Sequence, residues 1–535
     1  MNRPAIRAAL LAVVLSLTLG GCAFFKSRPS DDVGAPLVVD VNERNVSEVV
    51  DGGQIRLPIG AAPKQFSVFS PDADADARLV WDFYNPRLVD FAADGTPRWN
   101  PAYVESATDK LVDGHRVVTY TLNQRATFND GTPIDATAFS AAWRAGAGGG
   151  RVASVERGDT ASVVVVTYNT ATIAWQADFQ RVLHPAAKDH AYTGSTLEAA
   201  HADWGAGPFR LTGVEADRIT FERNPAWWGE SPRLNGASLV VVAPDARLAA
   251  LQAHALDATE ITDEASFRAA RRAGDDVDLR VGSRPAVLML NVNARSGLLS
   301  DAQVRRGMLG AIDRGEVRQL ISFGHSFPKE AGAGSLLALP FENTFRDNYR
   351  DVVRWDFNRA GTTLDHAGWI KTSDGIRTDA AGRKLAVRIV APKADPIAIL
   401  GAELVRKQLL AAGLQVSFDT VNAGDEGEWD LYISDLPMTT PGGLARLCDL
   451  YCSNGALNRT GIGPDQDAKL RDVPDTADAS AQLEAANAAE KQMFDTLYFM
   501  PIGNGAQVVA ARPDLANYGA GGYFSAPLEH LGFTG

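Results

Sequence analysis

The segment Phe128–Trp143, FNDGTPIDATAFSAAW, combines the residues of a turn with the beginning of a helix. Gly131 allows a positive φ, Pro133 fixes φ, and short Asn and Asp side chains close local turns through hydrogen bonds. Asp135 or Thr137 then stands where a helix N-cap is expected, before small and apolar residues at helical spacing. The segment therefore predicts a turn followed by a helix. We interpret it as structural and not as a ligand site.

Around this segment the chain alternates strand-like and helix-like stretches. Short runs rich in β-branched and apolar residues predict strands at residues 54–59, 117–122, 162–168, 239–242, 287–292 and 385–390. Apolar residues recur at helical spacing in residues 399–411 and 481–497. Strands and helices that alternate in this way predict a mixed α/β protein. A change in composition near residues 284–300 suggests a boundary between two lobes.

The amino-terminal residues have the features of an export signal. Two arginines precede an apolar run at residues 10–19, and the run closes with Leu19-Gly20-Gly21-Cys22, which looks like a lipobox. The run is shorter than the roughly 20 apolar residues that a membrane-spanning helix needs. We therefore predict a signal peptide at residues 1–21, acylation of Cys22, and a polar tether at residues 22–49. An ordinary signal peptide with a chance cysteine is the alternative.

Composition and motifs disfavour several functional classes. The formal net charge of −13 argues against nucleic-acid binding, which needs a basic surface. Eight histidines are scattered along the chain, and the sequence contains no HExxH, no GxSxG and no phosphate-binding glycine loop. We predict that the protein is not an enzyme, that it has no catalytic residues, and that it needs no cofactor or metal.

Three cysteines occur in the sequence. With Cys22 assigned to the lipid, Cys448 and Cys452 form an even pair in an oxidising compartment, which predicts a local disulfide. Two free buried thiols are one alternative. A metal pair is the other, although no histidine lies near these cysteines in the sequence.

Seven motifs follow one another along the chain: DGGQIRL at 51–57, FNDGTPIDA at 128–136, GAGPFRL at 205–211, FERNPAWWG at 221–229, LQA to LD at 251–257, LSD to AIDR at 299–314, and WDFNRA to AGW at 355–369. In this order they resemble the family 5 solute-binding proteins, the peptide- and nickel-type receptors of ABC importers. The resemblance covers residues 50–530. Within the family the chain is most similar to the oligopeptide-binding lipoproteins of mycobacteria and their relatives.

The resemblance implies a two-lobed α/β fold of the periplasmic-binding-protein type (type II, cluster C), in which two crossovers join the lobes and the lobes close over a solute. It places the first lobe at residues 50–285 with an extra subdomain at 75–205, the second lobe at 286–500, and a return to the first lobe at 501–535.

The same resemblance implies a partner and a location. We expect a monomer, lipid-anchored on the extracytoplasmic face of the cell membrane, that delivers oligopeptides or another small solute to ABC permease subunits. The alternative is a non-transport lipoprotein on the same scaffold that regulates cell-envelope glycolipid assembly.

The resemblance also indicates where a peptide would bind. In peptide-binding members the amino terminus of the peptide usually meets an Asp directly before a Pro, and the residue at that position here is Thr440. A hydroxyl does not replace a charge-assisted hydrogen bond to an ammonium, worth about 1.5–3 kcal/mol. This departure favours the regulatory alternative or a solute that is not a peptide. Asp435 is a second candidate for the ammonium, unless it only caps a loop. The other candidate ligand contacts are Trp81, Tyr84, Asn85, Trp204, Asn291, Asn293, Met438 and Arg446.

Overall fold

The computed structural model describes residues 38–535 except 64–65, 70–72, 188–200, 326–333, 423, 426, 439–440, 442, 477 and 525. The predicted signal peptide, Cys22 and Thr440 therefore lie outside the described residues, as does most of the tether. Within the described ranges, no helix combines the length and apolarity that crossing a membrane requires.

Strands are numbered in chain order. They are β1 Gln54–Ile59, β2 Val89–Phe91, β3 Pro97–Trp99, β4 Val104–Val112, β5 His115–Leu122, β6 Val152–Arg157, β7 Val163–Tyr168, β8 Phe209–Val214, β9 Arg218–Arg223, β10 Gly236–Val241, β11 Ala258–Glu260, β12 Asp278–Ser283, β13 Ala286–Val292, β14 Ile370–Lys371, β15 Arg377–Thr378, β16 Ala386–Pro392, β17 Gln415–Val421, β18 Leu431–Pro437, β19 Phe499–Gly503, β20 Ala506–Ala511, β21 Leu515–Ala516 and β22 Gly532–Phe533.

Helices are numbered in the same way. They are α1 Ala75–Tyr84, α2 Ala136–Arg144, α3 Arg247–Gln252, α4 Glu264–Arg272, α5 Ala302–Gly310, α6 Arg314–Leu320, α7 Phe357–His366, α8 Pro396–Ala411, α9 Leu447–Tyr451, α10 Asp467–Asp472 and α11 Ala479–Asp495.

Four sheets form the framework. The first has the order β1-β10-β9-β8, and β4-β5-β7-β6 is an antiparallel sheet inserted between α1 and β8 in the chain. The order of the largest sheet is β17-β16-β18-β13-β19, with parallel pairs at β17-β16 and β16-β18. A three-stranded sheet, β11-β20-β12, contains the chain segments that run between the first and the largest sheet. The prediction of a mixed α/β protein is confirmed.

Separate apolar cores accompany these sheets. One core packs on the β1-β10-β9-β8 sheet, a second fills the space beside β4-β5-β7-β6, and a third and larger core surrounds the five-stranded sheet. We call the parts of the molecule built on these cores the first lobe, the subdomain and the second lobe. The residue boundaries predicted from the sequence stay predictions.

The predicted elements lie close to the observed ones. The strand predicted at 54–59 is β1 without change, whereas β5 begins two residues earlier than predicted, at His115. The last predicted helix spans Ala479–Asp495 and ends before Leu497, which has a φ of 63°. A left-handed backbone conformation at that residue is incompatible with continuing the helix.

The turn at residues 128–136 makes the expected local structure. Gly131 has a φ of 88°, and Asp135 caps α2 by accepting a hydrogen bond from the backbone N–H of Thr137 at 2.8 Å. The side chain of Asn129 donates to the carbonyl of Ala202 at 2.8 Å and accepts from Asn224 at 2.9 Å. The turn thus fastens the subdomain to segments that lead into the first-lobe sheet.

A disulfide joins Cys448 in α9 to Cys452, with the Cα atoms 4.7 Å apart. The backbone N–H of Cys452 also donates to the carbonyl of Cys448, and Cys452 is completely buried in the second-lobe core. The bond therefore closes a single helical turn against the core.

We expect a Cys448→Ala/Cys452→Ala double variant to lose at most about 2–3 kcal/mol of unfolding free energy, because the closed loop is very short. Denaturant unfolding of the wild type and the variant measures this difference. If alkylation under non-reducing denaturing conditions labels both cysteines of the wild type, the disulfide does not form.

Candidate functional site

A cavity of about 590 Å³ lies between the first lobe, the subdomain and the crossovers, within the size range of small-ligand sites. We call it the cleft cavity. Helix α1 forms one wall, residues 177–181 of the subdomain form another, and Tyr523 also lines the cavity. Pro285 and Pro437, at the adjoining ends of the paired strands β13 and β18, close the side nearest the second lobe.

Several charged side chains in the cleft cavity form ion pairs. Arg181 binds Asp82 through Nε at 2.9 Å and Nη2 at 2.6 Å. Arg87 contacts Asp90 at 2.5 Å, where burial of the Asp90 carboxyl raises its pKa and the arginine opposes that effect. These pairs neutralise much of the charge that the cavity walls carry.

Asp435, a predicted ammonium partner, binds a side chain of the protein. The two nitrogens of the Arg284 guanidinium donate to its two carboxylate oxygens at 2.8 and 2.7 Å. Burial raises the pKa of Asp435 to about 6 against the opposing charge of Arg284, and the nearby carboxyl of Asp395 raises it further. A ligand ammonium would therefore compete with Arg284 for this carboxylate. The alternative of a loop cap is wrong, because Asp435 lies inside β18 and its side chain holds an arginine.

Glu260, at the end of β11, is an acid near Asp435 that the sequence analysis did not identify. Its carboxylate has no hydrogen bond or ion pair within the described part of the chain, and its negative charge raises the pKa of Asp435. The surrounding protein atoms raise the pKa of Glu260 itself, although the side chain keeps solvent-accessible surface. A single Glu at the end of a three-residue strand has no sequence signature that would distinguish it from other surface acids.

Three predicted ligand contacts on or beside α1 lie in the protein interior. Trp81 is 0% exposed and Tyr84 is 1% exposed, and both belong to the first-lobe core. Asn85 is also buried, and it borders a different cavity of about 410 Å³ near Trp227 and Trp228. The expectation that these residues line the cleft cavity is corrected. Trp81, Tyr84 and Asn85 face the interior of the protein, whereas Arg78 and Asp82 of the same helix line the cavity.

Trp204 packs between two histidine rings. Its ring centroid lies 5.2 Å from that of His184 and 3.7 Å from that of His201, in both cases nearly parallel. His184 contacts Asp130 of the turn segment at 3.0 Å. Trp204 therefore belongs to the junction of the turn with the first lobe and is not on the cleft wall, which corrects its predicted position.

Asn291 and Asn293 lie toward the far end of β13. Asn291 is 1% exposed, and neither polar atom of its amide has a hydrogen-bond partner in the described chain. Asn293 donates to the carbonyl of Trp429 at 2.7 Å and borders a larger cavity of about 780 Å³. Because each strand residue advances roughly 3.3 Å, this cavity is about 25 Å from the cleft end of β13. The two asparagines are therefore not cleft residues.

Met438 and Arg446 contact each other beside the cleft. Met438 is completely buried, and its backbone N–H donates to the carbonyl of Pro285 at 2.8 Å. Arg446 donates to the carbonyl of Pro437 at 2.8 Å and to the Met438 sulfur at 3.5 Å. Both residues thus support the prolines that border the cavity, and a direct contact with solute stays a prediction for each.

Metal binding has no support in the described residues, where no group of three or more His, Cys, Asp and Glu side chains could hold an ion. The features that distinguish the cleft are its position at the crossovers and its charged walls. This arrangement is suited to enclosing a polar solute.

Comparison with known proteins agrees with this architecture. The profile described as "Bacterial extracellular solute-binding proteins, family 5 Middle" matches residues 99–457. The chain belongs to this family. Over 98% of its length it is 27% identical to the oligopeptide-binding protein OppA of Mycobacterium tuberculosis, covering 93% of that protein. The family is one of bacterial extracellular solute-binding proteins.

Solved structures show the same two-lobed fold. The periplasmic EDTA-binding protein EppA matches with a TM-score of 0.79 and 19% identity, over 94% of this chain and 99% of the other. The oligopeptide-binding protein AppA from Bacillus subtilis, solved with a nonapeptide, matches with a TM-score of 0.70 and 16% identity, over 91% and 100% of the two chains. The fold class predicted from the sequence is confirmed.

The raised pKa of Asp435 predicts a pH-dependent stability. Because the folded-state pKa of about 6 exceeds the ordinary 3.8, the folded protein binds this proton more tightly than the unfolded chain does. The stabilisation is complete below the unfolded pKa and is lost as the pH rises through about 6. We expect the stability of the wild type, relative to Asp435→Asn, to fall by up to about 3 kcal/mol between pH 4 and pH 7.5.

Denaturant unfolding of both proteins across this pH range measures the difference. A wild type that gains stability relative to Asp435→Asn as the pH rises would show that the ion pair with Arg284 outweighs burial.

Proposed function

We propose that this protein is a lipid-anchored substrate-binding protein of an ABC importer and that it captures oligopeptides in the cleft cavity. The observation that carries the proposal is the cavity at the crossovers of a family 5 fold, lined by side chains from the first lobe, the subdomain and the crossovers. The near-full-length similarity to an oligopeptide-binding protein supports a peptide as solute and ABC permease subunits as partners. Membrane attachment would come from acylated Cys22 on the extracytoplasmic face, and the protein would act as a monomer.

Peptide capture should be detectable without knowledge of the peptide sequence. Native mass spectrometry of the purified protein should show added masses in the range of short oligopeptides, and a pool of random pentapeptides should be retained on ultrafiltration. If the protein carries no such mass and retains no peptide from the pool, transport of peptides is contradicted and the regulatory scaffold becomes the better interpretation.

The amino terminus of a bound peptide gives a second prediction. Because Arg284 engages both oxygens of Asp435, we expect peptide acetylation to change the affinity by the same factor in the wild type and in Asp435→Asn. Calorimetry with free and acetylated forms of one retained peptide measures both factors. If Asp435→Asn abolishes an acetylation penalty of about tenfold, corresponding to about 1.4 kcal/mol, then Asp435 is the ammonium partner.

The lipid anchor has its own test. Cys22→Ala should leave a folded protein that partitions into the soluble fraction, because stable attachment depends on acyl chains buried in the bilayer. Fractionation and intact-mass measurement on the wild type and the variant check this. A variant that stays with the membrane, together with a wild type that has no acyl mass, would contradict the anchor.

A further inference from the structure

Among the described side chains that line the cleft cavity, the charged groups form ion pairs with one exception. Arg87 and Arg181 are matched by Asp90 and Asp82, and a third acid of the wall, Asp178, is matched by Arg151 from outside the cavity. One charged side chain of the wall remains, and it is Arg78. In the part of the chain that the structure describes, its guanidinium has neither a hydrogen bond nor an ion pair.

The acids closest to Arg78 along α1 already have other partners. Asp82 lies one helical turn further on, and its Oδ1 accepts two bonds from Arg181. Asp74 lies one turn before, and its Oδ1 caps the helix by accepting from the N–H of Ala77 at 2.8 Å. The sequence spacing would permit an Arg78–Asp82 pair at i, i+4. In the folded protein Asp82 instead forms its ion pair with Arg181.

The local electrostatics favour an incoming anion. The surrounding protein atoms lower the pKa of Arg78 although its side chain keeps solvent-accessible surface, and the positive charge of Arg181 lowers it further, while Asp74 and Asp82 oppose both effects. An arginine nevertheless stays protonated at physiological pH. The guanidinium groups of Arg78 and Arg181 repel each other, and Asp82 is already bonded to Arg181, so an anion that binds Arg78 relieves this repulsion.

We propose that Arg78 binds a carboxylate of the solute and that the cleft selects for solutes with a free carboxylate, such as the carboxyl terminus of a peptide. The planar guanidinium donates to a carboxylate through two parallel N–H bonds, a geometry that lysine does not reproduce. The peptide part of this inference rests on the function proposed above, whereas the carboxylate preference of Arg78 does not.

The test uses pentapeptides of random sequence with free amino termini, in an equimolar mixture of carboxyl-terminal acids and amides. The protein is mixed with this pool, unbound peptides are removed by ultrafiltration, and mass spectrometry gives the ratio of acid to amide among the retained peptides. We expect the wild type to favour the acids about tenfold, and Arg78→Gln to retain acids and amides equally. Arg78→Lys should fall between the two because it keeps the charge without the bidentate geometry.

Arg125→Gln is the matched control. Arg125 is also exposed, and the substitution removes the same charge without touching the cleft cavity. This variant should keep the wild-type ratio. Because Arg78 is exposed and its guanidinium bonds to no described residue, Arg78→Gln should unfold at the wild-type temperature, which thermal melting checks. Equal retention of acids and amides by the wild type, or a tenfold preference that survives in Arg78→Gln, overturns the proposal while peptide capture stands.

A second arm covers the case in which no peptide is retained, so that peptide capture itself fails. Succinate, citrate and EDTA are then tested for a rise in melting temperature of the wild type, Arg78→Gln and Arg125→Gln. Stabilisation by at least one of these acids that Arg78→Gln loses and Arg125→Gln keeps supports carboxylate binding at Arg78 without a peptide. No stabilisation of the wild type, or stabilisation that all three proteins share, overturns it.

Discussion

The position of helix α1 depends on a buried group of hydrogen bonds around Asn224. Its side-chain amide donates to the carbonyl of Gly207 at 2.8 Å and to the side chain of Asn129 at 2.9 Å. The N–H groups of Ala206 and Gly207 in turn donate to the carbonyl of Tyr84 at the end of α1. A Cβ at Gly205 would lie 2.6 Å from the carbonyl oxygen of Tyr84, so a glycine is required where these two backbones approach. Three separated motifs therefore fix one end of the helix that forms a wall of the cleft.

This anchoring determines which α1 side chains face the core and which face the cavity. With its end held at Tyr84, the helix buries Trp81 and Phe83 in the first-lobe core. Arg78 and Asp82 consequently face the cavity. Arg181 of the subdomain pairs with Asp82. Arg78, one helical turn before Asp82, therefore does not have this carboxylate as a partner. A structural junction some distance from the cavity thus decides which charged side chains of α1 line it.

Hydrogen bonds connect the subdomain and the carboxyl-terminal segment of the chain to the second lobe. The backbone N–H of Ile173 donates to the side chain of Gln482 at 3.0 Å, and the amide of that glutamine also donates to two carbonyls near the start of α11. Tyr523 donates to Glu342 at 2.7 Å. Gln482 is completely buried, so breaking its bond to Ile173 without hydration would cost about 1–3 kcal/mol. Opening of the cleft on this side must expose these groups to water.

The sequence by itself determined the class of fold, the order of the motifs and the approximate positions of six strands, because these depend on local residue spacing and turn chemistry. It also indicated the Asp135 cap of α2 and the neighbouring Cys448–Cys452 pair. It did not determine the cleft. Trp81 and Asp82 are adjacent in the chain, but Trp81 is buried in the core and Asp82 lines the cavity, because distant residues fix the rotation of the helix. Asp435 was a reasonable ammonium partner until the tertiary structure placed Arg284, 151 residues away in the chain, against it. The partners of Asp82 and Asp435 come from other segments of the chain, and only the folded chain decides which charges meet.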